Sequence, residues 1–227
     1  MTLQISVIDD SRHYRWYHWR RKHHRRILKF LQDMVEPEIK TLSQSNELSD
    51  SYPWCFVFSA KQLNRKHYYI GALTISKNNC NKDSLCVIFS RLPYNVIALD
   101  FKKKFHIAFW QSRILAARQG EMNANKKNPH FLEWIKALQI HYSPFLESVL
   151  IRKSYRFINT SEPLLSNCHI LDNQIPINGG VEFMPWKNWP ECIQTGNSVW
   201  LWRQSRYGRI IDSKKISVPM DITNARR

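Results

Sequence analysis

Two short runs of aromatic and aliphatic residues constrain the fold of this chain more than any other feature of its sequence. They are residues 54–58 (WCFVF) and residues 199–202 (VWLW). Residues of these types fit the pleated surface of a sheet, and they stabilise it only when at least one face is packed. Turn-forming residues precede both runs, at Pro53 and at residues 196–198. We therefore predict that both runs are strands of one sheet, with at least one tryptophan of the second run buried.

The first half of the chain indicates strands and one long helix. Leu3, Ile5 and Val7 alternate with polar residues, which predicts a short first strand. A period of three to four residues over 11–39 predicts an amphipathic helix. Its apolar stripe consists of Trp16, Trp19, His23, Ile27, Phe30 (or Leu31) and Met34. After a polar loop, the pattern predicts a largely antiparallel meander, with strands at residues 54–58, 68–75 and 85–89.

The second half returns from helices to short strands. Helices are predicted at residues 97–119, 131–140 and 144–152, and strands at residues 169–171, 181–184, 199–202 and 210–218. This order predicts a single domain, residues 1–227, of the α/β (α+β) class. We expect a largely antiparallel sheet with helices on both faces.

Composition indicates a basic protein of the cytoplasm. The net charge of +16 arises from 34 Lys and Arg against 18 Asp and Glu, and it favours anionic partners. The N-terminal residues do not resemble a secretory leader, and no window approaches the ~18 uninterrupted apolar residues of a membrane-spanning helix. The 5 cysteines are irregularly spaced and form no C-x-x-C pair, which favours reduced thiols.

No pattern in the sequence indicates catalysis, so we expect that the protein is not an enzyme. Cys55 lies inside an apolar run, where a buried thiol is usually inert. Ser198 is not part of a G-x-S-x-G motif, because Trp200 occupies the last position. The acidic residues form no spaced pair for acid–base chemistry. The chain also has no Walker loop and no G-x-G-x-x-G turn.

The histidines near the N-terminus are a weak candidate for a metal site. They do not form an H-E-x-x-H motif, and the cations beside them would oppose a divalent ion. We expect no bound metal and no cofactor. Zinc, if found, would be expected at His13, His18, His23 and His24.

The basic segment at residues 12–26 is the strongest candidate for a binding surface. Consecutive helical residues are ~100° apart, so its cations cannot all lie on the apolar stripe. We predict a positive patch in which at least three of five partner-binding side chains face solvent: Arg20, Arg21, Lys22, Arg25 and Arg26. Two alternatives remain open. The cations and aromatic rings could bind nucleic acid, or the helix could only pack on the sheet and solvate its charges.

Three segments resemble strands of the TagF (ImpM-like) accessory proteins of type VI secretion. Residues 52–58 (YPWCFVF) are similar to the family's early P-x-W-R-F strand, with Cys55 in place of arginine. Residues 70–76 (IGALTIS) resemble its G-V-L-x-P-S strand without the proline, and residues 198–202 (SVWLW) resemble its S-x-W-W strand. The resemblance covers roughly residues 50–220. The family's Y-G-K-L-P-x-x-G-D-F and D-x-x-G-R-x-F-P segments are absent.

The resemblance implies a longin-like three-layer α/β/α sandwich without catalytic activity. It implies a cytoplasmic, post-translational regulator of secretion-system assembly, whose partner is a forkhead-associated scaffold or another secretion component. The cationic helix would then bind an acidic protein surface, with rate and specificity gained from complementary charge. The alternative function is that of a basic nucleic-acid-binding protein of a mobile element or defence system, which the net charge and the basic-aromatic segment also favour.

Overall fold

The computed structural model describes residues 3–9, 21–43, 52–59, 67–77, 83–103, 105–123, 131–141, 181, 183–194, 197–205 and 207–218. The strands in these ranges are β1 (Ile5–Asp9), β2 (Trp54–Ser59), β3 (Tyr68–Lys77), β4 (Asp83–Leu92), β5 (Ser198–Gln204) and β6 (Ile210–Ser217). The α-helices are α1 (Arg21–Met34), α2 (Glu36–Ser43), α3 (Tyr94–Asp100), α4 (Ile107–Asn123) and α5 (Phe131–His141). A short 3-10 helix spans Glu191–Gln194.

The six strands form one sheet in the order β1-β4-β3-β2-β5-β6, and all neighbouring pairs are antiparallel. β2, β3 and β4 form the predicted meander. β1 joins it along β4, and the β5–β6 hairpin joins it along β2. The predicted α+β class, with a largely antiparallel sheet and helices on both faces, is therefore confirmed.

Each face of the sheet packs against its own layer of helices. On the α1 face, Trp54, Phe56 and Phe58 of β2 lie in one buried cluster with apolar residues of α1 and α2. On the α4 face, Cys55 and Val57 lie in a second cluster with residues of α3, α4 and α5. The alternation follows from the two-residue period of a strand. Because both faces of β2 are packed, every residue of this strand is buried.

The two aromatic runs predicted to share a sheet are paired directly. Cys55 lies opposite Trp202 and Val57 lies opposite Trp200, in the register that joins β2 to β5. Trp200 is 4% exposed and Trp202 is fully buried, so the prediction that at least one of them is buried is confirmed.

The prediction of one continuous helix at residues 97–119 is wrong. The structure contains α3 and α4 instead, separated at residues 101–106. Asp100 and His106 cause the break, because their side chains accept hydrogen bonds from free amides of the first turn of α4. Asp100 Oδ2 lies 2.9 Å from the Ile107 amide and His106 Nδ1 lies 3.2 Å from the Phe109 amide.

The helix predicted at residues 11–39 is described from Arg21 onwards, where it is also divided. α1 ends at Met34 and α2 begins at Glu36, next to Pro37, which lacks an amide hydrogen. Ile27 and Phe30 of the predicted stripe are buried, and Met34 is half-buried. Trp16 and Trp19 lie outside the described residues.

The remaining elements have mixed outcomes. The helix predicted at residues 131–140 is confirmed as α5. Of the strand predicted at residues 181–184, the described residues form a single bridge, between Val181 and Ile210, and residues 183 and 184 are not in a strand. Pro185, which cannot donate to a sheet, follows directly. The elements predicted at residues 144–152 and 169–171 lie outside the described residues. No helix in the described ranges is long and apolar enough to cross a membrane.

Gly71 of β3 permits a close approach between strands, and its replacement by alanine is expected to destabilise the fold. An added Cβ would lie 2.6 Å from Phe56 Cζ and 2.8 Å from Phe89 Cβ. Both rings are buried, so they cannot withdraw without displacing other core residues, and overpacking typically costs about 1–3 kcal/mol in the free energy of unfolding. Urea denaturation would measure this loss.

Gly120→Ala is the matched control for Gly71→Ala. Gly120 lies in α4, where alanine is favoured over glycine by about 1 kcal/mol. The control should therefore leave the free energy of unfolding unchanged or increase it. Equal destabilisation by the two substitutions would contradict the crowding argued for Gly71.

Candidate functional site: the cationic face of α1

Helix α1 divides into a buried apolar face and an exposed cationic face. Ile27, Phe30 and Leu31 are buried against the sheet. Arg25, Arg26 and Lys29 are exposed, and their spacing of three to four residues places them on the opposite side of the helix. The face therefore presents three cations on a rigid element, together with one exposed carboxylate, Asp33, four residues after Lys29.

The structure bears on only part of the predicted patch. Of the five residues, Arg25 and Arg26 are exposed as expected. Arg21 and Lys22 lie in the first turn of α1, but the structure does not describe their side chains. Arg20 lies outside the described residues. The expectation that at least three of the five face solvent therefore stays a prediction.

Lys29 was not among the predicted residues, although the sequence could have identified it. It follows Arg25 by four positions and Arg26 by three, and this spacing places all three on one helical face. None of the acidic side chains in the described ranges forms an ion pair with Arg25, Arg26 or Lys29. Their charges are therefore available to an anionic partner.

The lysines near α2 differ from those of α1 because they are engaged in ion pairs. Lys40 Nζ lies 2.7 Å from a carboxylate oxygen of Glu36 and 2.7 Å from one of Asp83. These contacts raise the pKa of Lys40, with the hydrogen bond to Asp83 the largest cause. Lys214 of β6 pairs with Glu38 at 2.5 Å. Such pairs tie α2 to the sheet, whereas Arg25, Arg26 and Lys29 of α1 form no ion pair with the described acidic side chains.

Cys55 has the environment of a structural thiol. Its Sγ donates to the Ala108 carbonyl oxygen at 3.4 Å, between β2 and α4. Burial raises the pKa of Cys55 to about 12, although a hydrogen bond with Ser112 and the charge of Arg113 act in the opposite direction. The thiol therefore stays protonated near neutral pH, which makes it a poor nucleophile. Cys86 and Cys192 are also free thiols.

Burial disfavours the charged forms of Asp100 and His106, the two residues whose side chains accept hydrogen bonds from the first turn of α4. Burial raises the pKa of Asp100 to about 7, against weaker effects of the Ile107 amide and Lys103. Burial lowers the pKa of His106 to about 3, although a hydrogen bond with Gln204 acts in the opposite direction. The imidazole ring lies 5.2 Å from Phe101 and 5.5 Å from Trp202, so its surroundings are largely aromatic.

The described residues contain no group of three or more His, Cys, Asp or Glu side chains that could hold a metal ion. This finding does not bear on the four histidines at which zinc would be expected. His13 and His18 lie outside the described residues, and the side chains of His23 and His24 are not described.

Comparison with known proteins identifies no relative. No family model, curated protein or solved structure matches the chain. The resemblance to TagF-like proteins therefore stays a resemblance of segments.

Asp100 and His106 are expected to give opposite pH dependences to the free energy of unfolding. The pKa of Asp100 is about 7 in the folded state and ordinarily 3.8, so its contribution is fully present below about pH 4 and is lost as pH rises to about 7. The pKa of His106 is about 3 in the folded state and ordinarily 6.5, so its contribution is present above about pH 6.5 and is lost as pH falls to about 3.

Single substitutions followed by urea denaturation across this pH range would separate the two groups. Asp100→Asn keeps an acceptor for the Ile107 amide but cannot ionise, so its stability relative to the unsubstituted protein should grow as pH rises from about 4 to about 7. His106→Gln should do the opposite. Its free energy of unfolding, relative to that of the unsubstituted protein, should decrease as pH rises towards about 6.5. Differences that stay constant with pH would contradict the two shifted pKa values.

Proposed function

We propose that this protein is a non-catalytic regulator of the cytoplasm that binds an acidic protein surface through the cationic face of α1. The exposed set of Arg25, Arg26 and Lys29, opposite a buried apolar face, is the observation that carries the proposal. The buried apolar face anchors the helix to the sheet. The three charges are then presented to a partner without the cost of ordering a flexible segment.

The sheet supports a specific form of this proposal, in which the protein is a TagF-like accessory protein of a type VI secretion system. The segments that carry the resemblance fall on β2, β3 and β5, which are neighbouring strands in the order β3-β2-β5. A set of motifs that is dispersed in sequence is thus contiguous in space. In this form, the chain has a longin-like domain and sequesters a forkhead-associated scaffold or another secretion component.

The surroundings of the titratable groups support a binding role rather than an enzymatic one. Cys55, Asp100 and His106 are buried within the layers, and burial disfavours the charged form of each side chain. A catalytic acid, base or nucleophile must reach its substrate, whereas these three side chains pack between elements of the fold.

Reversing two charges on α1 tests the proposed binding surface. Arg25→Glu combined with Arg26→Glu should weaken binding to a purified forkhead-associated scaffold by about tenfold or more, with a reduced salt dependence. The free energy of unfolding should change by no more than about 0.5 kcal/mol, because both side chains are exposed. Isothermal titration calorimetry and thermal melting would measure the two effects.

The matched control reverses two exposed lysines in the layer on the opposite face of the sheet. Lys102→Glu with Lys136→Glu makes the same change in net charge, next to α3 and in α5. Binding should be nearly unaffected by this pair. Equal losses for both pairs would indicate attraction by net charge alone. A lower melting temperature with intact binding in the α1 variant would show that the helix is structural.

A further inference from the structure

A corner of the sheet near the start of β6 exposes aromatic rings. Val181 and Ile210 exchange backbone hydrogen bonds of 2.7 and 2.8 Å in an antiparallel bridge. The chain after Val181 therefore runs back towards the turn at residues 205–209, where Gly208 adopts a φ of 80°. Phe183 lies two residues after Val181 and Tyr207 lies three residues before Ile210, so the two residues flank this bridge. Phe183 is 78% exposed and Tyr207 is 54% exposed.

Two half-buried tryptophans continue this aromatic surface. Trp186 follows Phe183 by three residues, so their Cα atoms are at most about 11 Å apart. The Trp186 ring centroid lies 5.3 Å from that of Trp189 and 4.9 Å from that of buried Trp200. Trp189 also contacts Phe101, at 4.6 Å. These contacts hold the two rings on a rigid base while part of each stays accessible.

Cations accompany the rings. Lys187, between the two tryptophans in sequence, is exposed. Lys215 is also exposed, and its Nζ lies 4.7 Å from the centroid of the Trp200 ring that Trp186 contacts. Of the nearby carboxylates, Asp212 is paired with Arg203 at 2.8 Å, and Glu191 is exposed. We call Phe183, Trp186, Lys187, Trp189, Tyr207 and Lys215 the aromatic strip.

The aromatic strip has the chemistry of a surface for unpaired nucleotides. Flat rings offer stacking platforms to bases of any sequence, and cations beside them neutralise phosphates. A duplex hides the faces of its bases in the stack, so it could use only the cations. An acidic peptide would also use the cations, but it would leave the exposed rings of Phe183 and Tyr207 without a stacking partner.

We propose that the aromatic strip binds single-stranded nucleic acid. This activity goes beyond the proposed function and uses the other side of the molecule. Trp186, Trp189 and Trp200 pack on the α4 face of the sheet, whereas α1 covers the opposite face. The strip is also separate in sequence from residues 12–26, the basic segment that predicts the alternative nucleic-acid-binding role.

The test is fluorescence anisotropy of a labelled short oligothymidylate with the full-length protein. The dissociation constant should be low at about 50 mM salt and should increase steeply when the salt concentration is raised to about 200 mM. Phe183→Ala with Tyr207→Ala should weaken binding by about tenfold or more, because two stacking rings are lost. The oligonucleotide should also quench tryptophan fluorescence. Lys187→Glu should reduce the salt slope by about one unit or more, since it removes a phosphate contact.

The double variant should fold, because both truncated side chains are exposed, and circular dichroism with thermal melting would verify this. Arg25→Glu with Arg26→Glu is the control with altered charge on the other face, and it should retain ring-dependent binding. No binding at about 50 mM salt would overturn the proposal. Binding that is insensitive to ring truncation would also overturn it, as would equal competition by a duplex or by polyglutamate.

Discussion

Every side chain of β2, from Trp54 to Ser59, is buried, and each face of this strand packs against a different layer of helices. The burial of β2 is therefore the constraint that joins the two halves of the core. The neighbouring strand β3 carries Gly71 next to Phe56 of β2. The Phe56 ring occupies the space into which any side chain on Gly71 would project. The β5–β6 hairpin completes the arrangement by pairing with the free edge of β2, although a long stretch of chain separates the two strands.

The junction between α3 and α4 links polar chemistry to this packing. The side chains of Asp100 and His106 accept hydrogen bonds from the first turn of α4, and the ring of His106 reaches Trp202 of β5. Burial acts on both groups in the same physical sense, because it disfavours the charged form of each. Both groups are thereby biased towards their neutral forms, while their side chains fix the start of α4.

The two proposed binding surfaces lie on opposite faces of the sheet. α1 carries Arg25, Arg26 and Lys29 over one face of the sheet, and the aromatic strip lies over the other. The two surfaces have different chemistry. The described exposed residues of α1 are the three cations and Asp33, whereas the strip combines cations with aromatic rings. Complementary charge would favour an acidic protein for the first, and stacking would favour unpaired bases for the second.

The sequence by itself determined strands β2 and β5. Residues 54–58 and 199–202 are rich in aromatic and aliphatic side chains, and such runs are stable only in a packed sheet. The sequence also determined α5 and the exposure of Arg25 and Arg26 through helical periodicity. Only the tertiary structure decided that residues 97–119 are interrupted, since Asp100 can bind the Ile107 amide only after the chain has turned. It also decided that Phe183, Trp186 and Tyr207 lie at one corner. That corner is formed by the bridge between Val181 and Ile210 and by the packing of Trp186 against Trp200, which local periodicity does not encode.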